Sequence, residues 1–179
     1  MTLSTLHLSV LLPLFTLVTY AALTDVKRRR IPNWLTGTGI LIAFAVHLAL
    51  AGLPGIRFAA QGMLIAFALY LVLYLLRALG AGDVKLMAAV GAFSGYAIWL
   101  DIFFATALIG ALVALFQVLT KRKLIEVLAN MGTIVLELFH LRAPYRANTA
   151  LDVRSPAAFT LPHGIAIAAG VFVLFLSRS

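Results

Sequence analysis

The stretch Phe58–Leu76 reads FAAQGMLIAFALYLVLYLL, and after a short turn the run AGDVKLMAAVGAF follows at Ala81–Phe93. The first run has no charged side chain, and it is long enough for a membrane crossing, which takes about 20 mostly apolar residues. In lipid every backbone polar group must be satisfied internally, so only helices and closed barrels span a bilayer. These runs therefore predict an all-α bundle of membrane helices.

The composition of the whole chain agrees with this prediction. Of 179 residues, 63% are apolar and only 11% are charged, less than half of the charged share typical of a soluble domain. The chain has no cysteine, which excludes disulfides, thiolate zinc sites, cysteine nucleophiles and cysteine-ligated iron–sulfur clusters. No histidine–carboxylate cluster has metal-ligand spacing, so we expect no metal and no cofactor.

Six apolar stretches are predicted to be transmembrane helices. They run over Leu6–Leu23, Trp34–Ala51, Phe58–Leu76, Asp83–Phe93, Ala97–Leu119 and Phe159–Leu176. The fourth stretch is short, because a turn at Ser94-Gly95 leaves a helix only about 16 Å long. A turn nearer Asp101 gives a full span, and the sequence leaves both turns open.

The basic residues predict the orientation of these spans. Twelve of the 14 Lys and Arg residues fall in loops on one side of the membrane. Cytoplasmic loops carry the excess of Lys and Arg in membrane proteins. We therefore expect the basic side to be cytoplasmic and both termini to be periplasmic. The net charge of +8 is explained as a topology signal, and no nucleic-acid partner is expected.

The segment Leu124–His140 carries one polar stripe. Its polar residues recur every three or four positions: Glu126, Asn130, Thr133, Glu137 and His140. This spacing is one face of a helix, and we interpret the segment as an amphipathic helix at the cytoplasmic interface. A spanning position would bring Arg178 inside and weaken the charge bias, so the interfacial position is favoured.

Two acidic residues are predicted at the cytoplasmic ends of spans. Asp25 ends the first span and Asp83 begins the fourth, so a bundle can bring them together. Two carboxylates that share a proton can hydrolyse a peptide bond by acid–base catalysis. Each also has a simpler explanation, since Asp83 suits the N-cap of its helix and Asp25 can pair with a cation such as Lys27.

The turn before the second acid is rich in glycine, with Gly80 and Gly82 ahead of Asp83 and Lys85 after it. Glycine permits positive φ and close approach of another backbone, which leaves room for an extended substrate strand. A plain hairpin turn between two spans needs glycine equally. Lys85 can pair with Asp83 or extend its amine to the membrane interface.

A basic run follows the first acid and ends in Ile31-Pro32-Asn33. Pro32 and Asn33 predict the start of the second helix, with Asn33 as its candidate cap. The basic run is by default a topology signal and a contact for anionic lipids. It can also orient Asp25 or bind part of a substrate.

These two motifs resemble those of the type IV prepilin peptidases, polytopic membrane aspartyl proteases related to the archaeal preflagellin peptidases. The motifs are Asp25-x-Lys-x-Arg-x-Ile-Pro-Asn and Gly-x-Gly-Asp83-x-Lys-Leu. Gly-x-Gly-Asp alone is weak, because presenilin-like proteases share it, but the two motifs in this order are specific. The ending Leu161–Gly170 is similar to the family's last span, although His163 departs from the aromatic residue common there.

The resemblance covers nearly the whole chain and implies that Asp25 and Asp83 are the catalytic pair. The supporting residues that it implies are Gly80, Gly82, Lys85, Lys27, Arg29, Pro32 and Asn33. The substrate would be a prepilin with a transmembrane helix, whose basic leader is removed at the cytoplasmic face of a bacterial inner membrane. Membrane lipids and the pilus assembly machinery are the other expected partners.

The resemblance also bears on domain organisation. Full-length members carry an additional methyltransferase segment, often with a cysteine-rich metal site, and this sequence shows neither. Residues 1–179 are therefore expected to form a single transmembrane peptidase domain. This chain resembles the short, peptidase-only form associated with tight-adherence (Tad/Flp) pili.

Two other functions suit a small membrane protein. A transporter with the two aspartates as a proton relay needs carboxylates spread through the bilayer, and no acid lies near the middle of another predicted span. A noncatalytic subunit of a pilus or secretion assembly requires neither aspartate. The peptidase is favoured because both acids are predicted at the same membrane face.

Overall fold

The computed structural model describes residues 8–120, 124–140 and 163–177, without the side chains of residues 124–128, 135 and 138. Its helices are α1 (Leu8–Arg28), α2 (Asn33–Leu75), α3 (Ala81–Thr120), α4 (Leu124–Phe139) and α5 (His163–Leu176). No strand occurs in these ranges, so the all-α prediction is confirmed for them. The basic loop before α5, with Leu161 and Pro162, and Arg178 lie outside the described residues.

Three of the described helices, α1, α2 and α3, are long and apolar enough to cross a membrane. Both α2 and α3 are bent at a glycine that has a positive φ, Gly52 (φ 62°) in α2 and Gly95 (φ 72°) in α3. Each bend separates two of the six predicted stretches, and we call the two parts the N-terminal and C-terminal arms of each helix. The number of membrane crossings stays a prediction.

The bend at Gly52 folds α2 back on itself. The ring centroids of His47 and Phe58 are 5.1 Å apart, whereas eleven residues of straight helix would separate them by about 16 Å. His47 Nε2 also lies 3.0 Å from the carbonyl oxygen of Phe93, next to the bend in α3. These contacts join the two bends at one level of the bundle.

The sequence left open whether the chain turns at Ser94-Gly95 or nearer Asp101, and the structure has the bend at Gly95. The position that a Cβ would take on Gly95 is filled by the ring of Phe58, so only glycine fits there. The N-terminal arm of α3, residues 81–94, is therefore about 21 Å long. This short arm forms the centre of the bundle, because residues 86–95 are all buried.

Close helix packing brings the ends of three helices together. The backbones of Gly62 in α2 and Gly91 in α3 touch, since a Cβ on either would overlap the carbonyl oxygen of the other. Helix α5 packs against α1 and α3, with Phe15 stacked on Phe172 at 4.8 Å. The C-terminus of α1 and the N-termini of α3 and α5 therefore meet at one end of the bundle.

Helix α4 covers nearly the segment predicted as amphipathic. Its apolar side chains Met131, Leu136 and Phe139 are exposed, while Asn130, on its polar stripe, is half-buried. The position of α4 at the cytoplasmic interface stays a prediction.

Candidate functional site

Asp25 lies in the last turn of α1 and is 9% exposed. Its Oδ2 accepts a hydrogen bond of 2.8 Å from the backbone N–H of Gly164, the second residue of α5. The N-terminus of a helix carries partial positive charge and free N–H groups, which together stabilise an anion. Helix α5 therefore supplies a binding site for this carboxylate, a contact that the sequence did not predict.

Gly164 is a site residue that sequence reasoning missed. A Cβ on it would lie 3.0 Å from Asp25 Oδ2 and 3.1 Å from Asp25 Cβ, so any larger residue crowds the carboxylate. The available signal was the Pro162-His163-Gly164 sequence within the last apolar stretch. It could not reveal the role, because the contact joins residues 139 positions apart.

Asp83 is half-buried in the first turn of α3. Its Oδ2 accepts a hydrogen bond of 3.1 Å from the backbone N–H of Gly80, the residue before the helix. The interpretation of Asp83 as N-cap was therefore wrong, since this acid is the third helical residue and reaches back to the cap, as in half of a capping box. The positive end of α3 still favours its negative charge.

Gly80 and Gly82 leave space for neighbouring side chains at the site. Among the described glycines only Gly52 and Gly95 have positive φ, so Gly80 and Gly82 do not use the positive φ that glycine permits. A Cβ on Gly80 would lie 3.3 Å from Asp83 Oδ2, and one on Gly82 would lie 3.2 Å from Ile31 Cβ. Gly82 thus lets the start of α3 pack against the segment that follows Asp25.

The segment 29–33 turns sharply between α1 and α2. Arg29 has φ 50°, and its N–H donates to the Asp25 carbonyl at 2.8 Å, which is the left-handed ending common at helix C-termini. Helix α2 begins at Asn33, with Pro32 as its N-cap and no side-chain cap bond. The prediction of Asn33 as the cap was therefore wrong.

The amide of Asn33 has a different partner. Lys85 Nζ donates a hydrogen bond of 2.9 Å to Asn33 Oδ1. Both side chains are exposed, so the bond lies at the surface. This hydrogen bond links the two motifs directly. The sequence had suggested Asp83 or the membrane interface as the partner of Lys85, and it did not predict the contact with Asn33.

The two acids share a cavity of about 470 Å³. Its walls are formed by Asp25, Arg29, Arg30, Ile31, Pro32, Asn33, Gly80, Ala81, Gly82, Asp83 and Lys85. The structure thus brings together every predicted site residue except Lys27, which is exposed on α1 and is not part of this lining. The charge of Asp25 is close enough to act on Asp83. Nowhere in the described ranges do three or more His, Asp or Glu side chains group as metal ligands.

Aromatic residues lie behind the two carboxylates. Tyr70 is 2% exposed, and its ring centroid is 6.3 Å from those of both His163 and Trp99. Tyr70 lies within electrostatic reach of Asp83, and His163 lies within reach of Asp25. The ring of His163 thus packs against Tyr70 and lies near Asp25.

Comparison with known proteins adds one finding. A family model described as the type IV leader peptidase family matches residues 12–115. This range includes both motifs and every residue that lines the cavity. No curated protein and no solved structure matches the chain.

Proposed function

The chain belongs to the type IV leader peptidase family, and on this premise we propose that it is a membrane-embedded aspartyl endopeptidase with Asp25 and Asp83 as its catalytic pair. The observation that carries the proposal is that both carboxylates line one cavity. A cavity of about 470 Å³ is within the range of ordinary ligand sites, about 300–1,000 Å³. It has room for a short extended peptide and a water molecule.

The proposed reaction is direct hydrolysis by the two carboxylates. The ionised carboxylate takes a proton from water, and the oxygen of that water attacks the carbonyl carbon of the scissile bond. The protonated carboxylate gives its proton to the carbonyl oxygen. The tetrahedral intermediate then collapses as the carboxyl group that took the proton from water gives it to the leaving nitrogen, and the other carboxylate takes a proton back from the hydroxyl group. The reaction needs one proton between the two carboxylates, because like charges on neighbouring acids repel each other.

The hydrogen bonds of the carboxylates suit this reaction. Oδ2 of Asp25 is held by the N–H of Gly164, and Oδ2 of Asp83 is held by the N–H of Gly80. Each acid can therefore use one oxygen for positioning and the other for proton transfer. Such fixed positioning is valuable, because a misplacement of about 1 Å can cost about 100-fold in rate.

The proposed substrate is an Flp-like type IV prepilin, cut at the cytoplasmic face of a bacterial inner membrane. The cavity lining includes the cations Arg29, Arg30 and Lys85, so attraction of a basic leader by this surface is disfavoured. Instead, the apolar helix of the prepilin would partition laterally from the bilayer and bring the scissile bond to the carboxylates. A prepilin with a shortened apolar helix that is cleaved as well as the natural one would count against this route.

Co-expression with a prepilin tests the catalytic pair. Asp25→Asn and Asp83→Asn keep the shape of each side chain but remove its charge, and we expect both to abolish leader removal. Asp101→Asn is the matched control, because Asp101 lies in the C-terminal arm of α3 and does not line the cavity. Normal cleavage by either of the first two variants, expressed at the wild-type level, would overturn the aspartyl mechanism.

A further inference from the structure

The cavity that holds the two acids is also lined by cations. Arg29, Arg30 and Lys85 form part of its walls, together with Asp25 and Asp83. The two acids carry only one negative charge between them when they share a proton, as the proposed reaction requires. The lining therefore has more positive than negative charge. The proton transfers of the reaction do not use the cations, so their place in the lining needs another explanation.

Two of these cations are not neutralised by the acids of the cavity. Lys85 Nζ donates to Asn33 Oδ1, a neutral partner, and an ammonium group has three donors. In the described part of the chain, neither Lys85 nor Arg30 forms an ion pair with Asp25 or Asp83, and each acid accepts from a backbone N–H instead. Both cations are exposed, so they can contact a charged group on a ligand that enters the cavity.

Hydrolysis of a peptide bond creates such a charged group in this cavity. Water adds across the bond, so the acyl carbon gains an oxygen and the leaving nitrogen gains a proton. Near neutral pH the new acid loses its proton and the new amine keeps one. The leader then ends in a carboxylate, and this carboxylate forms next to Asp25 and Asp83. Before the cut, the same position holds an uncharged amide.

We propose that Arg30 and Lys85 bind the new C-terminal carboxylate of the released leader, so that the leader inhibits the chain by occupying the cavity. The inference rests on the proposed peptidase function, since it concerns a product of that reaction. The ligand class is a peptide with an α-carboxylate at its C-terminus. A guanidinium group offers paired N–H donors that match a carboxylate, and Lys85 adds a second positive charge. The two cations thus distinguish the product from the uncut substrate.

The binding of a matched pair of peptides tests this proposal. The probe is a fluorescent leader peptide that ends at the scissile bond, made with a C-terminal carboxylate or with a C-terminal amide. Fluorescence anisotropy gives the Kd of each form for the whole chain in nanodiscs of phosphatidylcholine, a lipid without net charge that supplies no anionic headgroup. An exposed ion pair changes an equilibrium by at most about fivefold. With two cations, we expect the carboxylate form to bind about tenfold more tightly than the amide form.

Substitutions of single cations make the test specific to the cavity. Arg30→Gln and Lys85→Gln should each lower the ratio of the two Kd values to about threefold, and Arg30→Lys, which keeps the charge, should lower it less than Arg30→Gln. Arg28→Gln is the matched control. Arg28 belongs to the same basic run and is exposed, but it does not line the cavity, so this variant should keep the wild-type ratio.

Three results would overturn the proposal: equal Kd values for the two peptide forms, a ratio unchanged in both Arg30→Gln and Lys85→Gln, or a ratio that Arg28→Gln lowers as much as Arg30→Gln does. In the cleavage assay, the carboxylate form should raise the KM for the prepilin and leave kcat unchanged. A lower kcat at unchanged KM would also count against binding in the cavity. The Kd values are read without cleavage, so their failure would leave the peptidase function standing, whereas a wild-type chain that cleaves no prepilin would overturn that function.

Discussion

Substitution of Gly164 by alanine tests how α5 positions the first acid. The new Cβ would lie 3.0 Å from Asp25 Oδ2, so the carboxylate or the helix must move by a few tenths of an ångström. Because a shift of about 1 Å can cost about 100-fold, we expect Gly164→Ala to lower kcat/KM for leader cleavage by about five- to tenfold. The loss should not come from unfolding, since alanine is the better helix former.

The assay is cleavage of a purified prepilin by the chain in nanodiscs, with the melting temperature measured on the same samples. Gly37→Ala is the control, because a Cβ on Gly37, which is exposed in α2, meets nothing within 4 Å. The reasoning is refuted if Gly164→Ala cleaves as fast as Gly37→Ala. A fall in melting temperature that accounts for the whole loss would refute it as well.

Three further predictions concern contacts around the site. Lys85→Met and Asn33→Ala should slow cleavage equally, because each removes the same hydrogen bond of 2.9 Å. The double variant should therefore be no slower than either single variant. Losses of rate that add in the double variant would contradict this. His47→Phe leaves the Phe93 carbonyl without its donor and should lower the free energy of unfolding by about 1–3 kcal/mol; an unchanged melting temperature in detergent would contradict it. Gly62→Val places a side chain against the backbone of α3, so we expect no folded protein in size-exclusion chromatography. A normal elution peak would disprove this prediction.

The sequence predicted the helices well because their apolar runs are long and continuous. The predicted segment 124–140 coincides with α4, and the bends in α2 and α3 fall between predicted stretches. The exact turn after the fourth stretch could not be predicted. It depends on Phe58 filling the space beside Gly95, and this is a contact between two helices that no local pattern contains.

The sequence suggested which residues lie near the site, but it did not show how their atoms contact one another. The family resemblance pointed to the residues of two motifs, and the structure places all of them except Lys27 around one cavity. It did not identify which atoms each residue bonds. Whether Asp83 is the cap or the third helical residue depends on where α3 starts. The hydrogen bond that Lys85 donates to Asn33 joins two different helices. The largest omission was Gly164, whose role requires the last helix to return to the end of the first.

The arrangement gives α5 a part in the chemistry beyond packing. Its N-terminal amide binds Asp25, while the N-terminus of α3 holds Asp83. Each acid thus accepts a hydrogen bond from a backbone N–H at a different helix N-terminus. Mutations along α5 that shift its first turn should therefore affect cleavage more than mutations at its C-terminal end.

The most direct test of the account is the rate of leader removal in liposomes that contain only this chain and one prepilin. The wild-type chain should cleave without any other protein or added cofactor. Asp25→Asn and Asp83→Asn should each be slower by at least about 1,000-fold, as expected when two groups act as one catalytic unit. No cleavage by the wild-type chain, or either variant within about tenfold of it, would contradict the claim that these two acids perform the hydrolysis together.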